Sequence, residues 1–369
     1  MVWIYEDPNA GQHDTGDQGH SHMATTNLFF ARSTDGGRTF TTPVQFNRKE
    51  GDVWGFTVST PRLAIGANGT IHVFYPGNDC NSANGKPHAV AMYTRSTDQG
   101  RSFDPPQRLN TMPTSDASHL VHGGLTHAHV FGTMAVSSDD GRSFGTDAEL
   151  FPADVCPCCQ LVAFVDDRDR LFVGSRQVEA GYRDSAIAVS ADGGRAFLPR
   201  NRLSPNRWKI EGCPLKPTAV AASGDQIWAA YCSGGEPEPG VHFVRSTDGG
   251  KTYPVPLRVH PEASVSDAPV LALAGDTLHL FWHAKTGSSG RRIYTRASNN
   301  GGESFGPIQE LPTPAGSAQL PVVAPRPDGT VQVAWQQGAE IHSLQWPQAA
   351  AQVAASARAP RPTLTATRS

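Results

Sequence analysis

Hydrophobic residues run along this chain in short bursts, each closed by Gly, Asp, Asn or Ser. NLFFARS and AVAMYTRS are bursts of one kind, and GTIHVFY, DQIWAAY and DTLHLFW of a second. TPRLAIG and PTAVAAS form a third kind. Segments of this length, rich in β-branched and aromatic residues and bounded by turn formers, predict β-strands. Their order is fixed. A run such as TPRLAIG comes first, then a tight turn (GANG, ASGD or LAGD), then a strand such as GTIHVFY. A longer connection leads to a strand such as AVAMYTRS. Each unit therefore predicts an antiparallel sheet of strands A, B, C and D.

A second pattern marks the turn after strand C. STDGGRTF begins at Ser33, STDQGRSF at Ser96, SSDDGRSF at Ser137, SADGGRAF at Ser190 and STDGGKTY at Ser246. SNNGGESF begins at Ser298, with Asn300 in the aspartate place. Successive copies lie 63, 41, 53, 56 and 52 residues apart, the length of a four-stranded propeller blade. In such a turn the aspartate accepts bonds from turn N–H groups, and the glycine takes a positive φ. The closing Phe or Tyr is expected between neighbouring sheets.

These boxes resemble the Asp-box (BNR) repeats of the sialidase superfamily. The resemblance implies an all-β fold, a β-propeller of the sialidase type. Six Asp-box units are expected, plus a partial seventh without a box, QLPVVAPRPDGTVQVAWQQGAEIHSLQW, giving six or seven blades. The first unit lacks strand A, and the third is short. The expected single domain spans residues 1–346. The Ala/Pro/Arg-rich stretch 347–369 reads as a disordered tail. The start, MVWIYEDPNAGQHDTG, lacks the basic opening and apolar run of a signal peptide and reads as the middle of a strand. The natural chain is therefore expected to begin earlier.

Composition narrows the function classes. The net charge of -3, with no Lys/Arg run longer than a pair, argues against a nucleic-acid partner. No apolar stretch approaches a membrane span. A monomer is expected, periplasmic or extracellular by family habit and cysteine number. In a blade of this kind the A–B and C–D turns share one face. The D–A and B–C connections share the other, the mouth, and all six cysteines fall on that side. Cys156, Cys158 and Cys159 crowd into VCPCCQ, just before strand A of the fourth unit, and Cys213 sits before strand A of the fifth. His127 and His129 lie at the start of the third unit. Three readings stay open. One is disulfide staples, with Cys213 and Cys232 as a candidate pair. The second is a copper or zinc site of Cys156, Cys158, Cys159, Cys213, His127 and His129. The third is a redox or nucleophilic thiol.

VCPCCQLVAF, SRQ…YRDSAIAVS and WKIEGCP are also similar to segments of a group of bacterial sialidase-like propellers. Members of that group follow Gly-Cys-Pro with a histidine, where this chain has Leu215. A metal ligand at that place would be missing here. Sialidase chemistry implies three arginines on the substrate carboxylate, a tyrosine nucleophile with a glutamate base, and an aspartate acid. The Phe/Tyr-Arg-Ile-Pro motif before the first box is absent, so the arginine triad is not carried over.

The B–C loop of the fourth unit, SRQVEAGYRDS, supplies candidates instead. Arg176 and Arg183 are expected to clamp a carboxylate, Tyr182 and Glu179 to serve as nucleophile and base, and Asp184 to complete the set. Asp52 and Trp54, near Glu50, form a second mouth-side cluster. Trp54 and Trp208 are expected to stack on sugar rings. The expected ligand is a glycan or another small molecule at the mouth, the glycan an acidic sugar handled in a glycoside hydrolase-like way. The alternatives are a metal-binding or redox propeller and a non-catalytic scaffold for a protein partner.

Overall fold

The computed structural model describes residues 1–6, 26–47, 52–53, 60–79, 88–109, 133–146, 148–150, 155–156, 159, 161–203, 207–212, 214–288, 290–347 and 355–357. Among these, all regular structure is β-strand, and no helix is long and apolar enough to cross a membrane. Seven antiparallel sheets follow one another along the chain, each pairing its strands in chain order.

One compact unit, Met1–Arg32 with Val44–Val259, holds the first five sheets. The first sheet is β1 (Val2–Glu6), β2 (Thr26–Phe30) and β3 (Val44–Gln45). The second is β4 (Arg62–Ile65), β5 (Ile71–Asp79), β6 (His88–Ser96) and β7 (Gln107–Arg108). β8 (Thr133–Met134) and β9 (Ala148–Glu149) form the third. The fourth is β10 (Val162–Val165), β11 (Leu171–Arg176), β12 (Ser185–Ser190) and β13 (Asn201–Arg202). The fifth is β14 (Ala219–Ser223), β15 (Gln226–Ser233), β16 (Gly240–Ser246) and β17 (Leu257–Arg258).

The other compact unit, Ser33–Pro43 with His260–Ser369, holds the last two sheets and the first box turn. β18 (Val265–Ala274), β19 (Thr277–Lys285), β20 (Arg292–Ser298) and β21 (Gln309–Glu310) form the sixth sheet. The seventh is β22 (Ala318–Pro325), β23 (Val331–Gln337), β24 (Glu340–Trp346) and β25 (Ala355–Ala357). β25 lies inside the stretch expected to be a disordered tail, and it pairs with β24.

Middle strands are apolar along nearly their whole length because both faces are covered. β15 and β19 are buried at almost every position. Phe172, Ile187, Ile227 and Tyr231 lock the fourth sheet to the fifth. In the second unit Phe281, Ile293, Val331 and Trp335 do the same for the sixth and seventh.

The boxes are built from side-chain bonds. In the second, the Ser96 hydroxyl donates to Asp98 Oδ1 at 2.7 Å and accepts from the Gly100 N–H at 2.8 Å. Asp98 Oδ1 also accepts from the N–H groups of Arg101 and Ser102, each at 2.9 Å, while Oδ2 accepts the Ser102 hydroxyl at 2.6 Å. The other boxes repeat this, with two variations. Ala196 leaves the fourth aspartate without a hydroxyl partner on that side. Asn300 accepts from the Ser304 N–H through Oδ1 and donates to the Ser304 hydroxyl through Nδ2.

Three of the turns meet the sheet before them. A Cβ at Gly100 would lie 2.3 Å from Phe30, and the residue has φ +80°. Gly141 meets Tyr93 and Gly194 meets Met134 in the same way. In all three pairs the partner stands three places before its own box. Arginines tie the same junctions. Arg32 donates to the Gln99 carbonyl at 3.3 Å and Arg95 to the Asp140 carbonyl at 2.7 Å. In the second unit Arg326 donates to the Gly36 carbonyl at 3.4 Å.

Two outcomes follow. Gly100→Ala is expected to destabilise the protein by roughly 2–4 kcal/mol, through positive φ and overpacking, measured by urea unfolding. Hydroxyl and amide donors hold the carboxyls of Asp35, Asp98, Asp139 and Asp248 well below the ordinary range. Their stabilisation is therefore complete above the unfolded carboxylate pKa of about 4 and is lost as pH falls toward the folded values. Melting temperature should drop across that acid range. Asp98→Asn, which copies the sixth box, should make the drop shallower.

Candidate functional site

The far end of the fourth sheet from its box gathers most of the expected residues. β11 and β12 are extended there by a tight hairpin. Glu179 and Tyr182 exchange backbone bonds, N–H to O at 3.1 Å and 2.8 Å. The two residues between them, Ala180 and Gly181, have φ of 49° and 81°. That is the two-residue turn whose twist matches the strands, and Gly181 supplies the left-handed residue at no steric cost. Directly opposed residues of a hairpin share one face, so Glu179 and Tyr182 stand side by side.

A third strand-like segment covers the hairpin. Tyr182 pairs with Lys209, and the Arg183 N–H donates to the Trp208 carbonyl at 2.7 Å. The Trp208 N–H in turn donates to Asp184 Oδ1 at 2.9 Å. This lays Arg207, Trp208 and Lys209 beside the hairpin. The Arg207 guanidinium lies over the Tyr182 ring, 4.3 Å from its centre. Arg202, from β13, pairs with the Glu179 carboxylate and lies 3.6 Å from Asp184 Oδ2.

Of the five residues expected to act on a ligand, only two reach solvent. The Glu179 side chain is 64 % exposed and Tyr182 is half-buried. Arg176, Arg183 and Asp184 are each at most 2 % exposed. The expected carboxylate clamp of Arg176 and Arg183 is not how Arg176 is used. Its guanidinium donates to the carbonyls of Lys216 at 3.2 Å, Arg183 at 2.5 Å and Cys232 at 2.8 Å. A buried cation needs such partners, and these bind the fourth sheet to the fifth. Trp208 is likewise engaged. Its indole sits over Arg176 at 5.3 Å, and a Cβ on Gly234 would be 2.6 Å from it.

Asp52 lies elsewhere in this unit, accepting from Asn47 at 2.9 Å next to the first sheet. Trp54, Cys158, Cys213, His127 and His129 lie outside the described residues. Among the described residues no group of three or more His, Cys, Asp or Glu side chains is placed to hold a metal ion. Cys156 and Cys159 are buried thiols behind Arg176, the Cys156 N–H donating to the Arg176 carbonyl at 2.7 Å. A bond to Cys156 and then burial push the Cys159 thiol far above its ordinary range, which suppresses the thiolate.

Sequence reading missed Arg202, Arg207 and Lys209. Arg207 and Lys209 are both exposed in the segment that covers the hairpin, Arg207 with a left-handed backbone at φ 50° that no short sequence pattern signals. With Arg202 they set three cations against one exposed carboxylate, Glu179.

Six box turns, each joining the last two strands of an antiparallel sheet, decide the architecture. The fold is a sialidase-type β-propeller. No family model matches this propeller, and no curated protein matches it in sequence. In structure it is similar to the Hadza microbial sialidase Hz136, with TM-score 0.49, 15 % identity and 85 % of this chain covered. It is similar too to the intramolecular trans-sialidase from Ruminococcus gnavus, with TM-score 0.48, 14 % identity and coverage of 91 % of this chain and 87 % of that one. The α-L-arabinofuranosidase Arb93a from Fusarium graminearum gives 0.42 and 12 %, covering 77 % of this chain and 76 % of that one. The propeller spans 57 % of the length of Hz136. These likenesses concern the fold alone.

Two substitutions probe the buried layer. Arg176→Met leaves three carbonyls without their donor and should cost about 3–5 kcal/mol in urea unfolding. Burial holds the Asp184 carboxyl above its ordinary range. Folding therefore favours its protonated form, and its contribution is lost as pH rises from the unfolded value of about 4 through the folded one. Asp184→Asn keeps an acceptor for Trp208 and should flatten that loss, leaving the variant at least as stable at neutral pH.

Proposed function

We propose that this propeller binds an acidic sugar at the Tyr182 hairpin and acts on it in a glycoside hydrolase-like way. The observation that carries this reading is Arg207 over the Tyr182 ring, with Lys209 paired beside Tyr182 and Arg202 on the neighbouring Glu179. Cations beside an aromatic face suit a sugar that carries a carboxylate or sulfate and stacks the C–H face of its ring. In this reading Arg207 and Lys209 hold the anionic group. The ligand also competes for Arg202 and so releases Glu179. The freed carboxylate then accepts the phenolic proton of Tyr182, which attacks the anomeric carbon. Arg176, Arg183 and Asp184 support the hairpin from beneath without touching ligand.

Calorimetry with sialyllactose and oligogalacturonate, against neutral lactose, tests the binding. The acidic sugars should bind and lactose should not, and added salt should weaken the affinity. Arg207→Ala and Lys209→Ala should each lower affinity about five- to tenfold, roughly 1–1.4 kcal/mol. Tyr182→Phe should keep binding and remove any release of reducing sugar. Equal binding of acidic and neutral sugars, or none of either, would sink the proposal.

A further inference from the structure

Cys156 and Cys159 take no part in the chemistry assigned to the hairpin, yet they are placed with care. The Cys159 N–H donates to the Cys156 carbonyl at 3.2 Å, closing a turn between the two. Residues so joined have Cα atoms within about 7 Å, the range that a disulfide spans. Their sulfurs are in contact, with a thiol hydrogen bond between them. One cation and one backbone donor face the pair. The Arg176 guanidinium acts on Cys159, and the Lys216 N–H points at its sulfur. A guanidinium this close opposes a metal cation at the pair, and the turn that joins the two cysteines sets them at disulfide spacing.

We propose that Cys156 and Cys159 are a redox-active dithiol that closes reversibly to a disulfide behind the hairpin. A small organic disulfide such as oxidised glutathione is the oxidant. Deprotonated Cys156 attacks one of its sulfurs, expelling one glutathione thiolate and leaving a mixed disulfide. Cys159 then attacks the Cys156 sulfur, forming the intramolecular bond and expelling the second glutathione thiolate. The two protons lost by the cysteines go to the two released thiols. The two electrons reduce the oxidant. Both cysteines are at most 4 % exposed, so exchange waits on local opening and is slow.

Closure has a direct route to the ligand side. Cys156 is bonded to the Arg176 backbone, and Cys159 to Lys216, whose carbonyl takes the Arg176 guanidinium. Drawing the sulfurs from contact to a bond of about 2.0 Å pulls on both ends of that arginine and on the Trp208 ring above it. The chemistry of the dithiol does not depend on a sugar occupying the hairpin.

The test uses the full chain with Cys158→Ala, so that the neighbouring thiol cannot substitute. Oxidised glutathione should remove two thiols and the mass of two hydrogens, with no glutathione retained, and dithiothreitol should restore both. Adding Cys159→Ser should trap one glutathione on Cys156, since the resolving thiol is gone. Oxidation should also change tryptophan emission, and Trp208→Phe should abolish that change. Circular dichroism of each variant confirms that the strands persist. Unchanged thiols in the folded Cys158→Ala protein would overturn the proposal. So would a peptide map linking Cys156 to Cys213, or a bound metal that protects the thiols.

Discussion

The middle strands are buried along almost their whole length, and three box turns come within van der Waals reach of the sheet before them. That constraint governs the rest. It explains why a glycine occupies the fifth place of the second, third and fourth boxes and why the residue three places before the first three boxes is large. Phe30, Tyr93 and Met134 fill the space that a side chain at Gly100, Gly141 or Gly194 would need. Arginines then bond the carbonyl that the turn leaves exposed at the same junction. The aspartate shapes the turn from within, and the glycine and arginine fix it from without.

The opposite end of the fourth and fifth sheets solves a different problem with the same residue type. There the chain buries Arg176 rather than a glycine contact, and three carbonyls receive its guanidinium. The hairpin of Glu179 and Tyr182 rests on this layer, and the segment from Arg207 to Lys209 closes over it. A rigid cationic floor lets the exposed residues be few. Beside it Glu179, Arg207 and Lys209 are exposed, and Tyr182 and Arg202 are half-buried.

The repeats were legible because they are local. Box and strand order follow from short-range pattern, and the described sheets pair their strands in that order. The hairpin loop was legible as a cluster because its residues are adjacent in sequence. Which of them would face water was not. Burial of Arg176, Arg183 and Asp184 depends on Trp208 and Lys216, which arrive from a later connection and the next sheet. Arg202 enters from β13, and no short window shows that it reaches Glu179. The strand at Ala355–Ala357 was hidden for a related reason. Its residues carry little β-propensity, and they pair with β24 all the same.

The first box turn packs with strands laid down at the other end of the chain. Arg326 reaches Gly36 across 290 residues. During synthesis that turn emerges early and waits, its partner sheet still unmade, while the sheets between fold in succession. Closing so long a loop is slow, because its entropy is spent before the contact is made. Connectivity therefore makes this contact a late one, and a chain stalled before its final sheet would leave an early turn without its arginine.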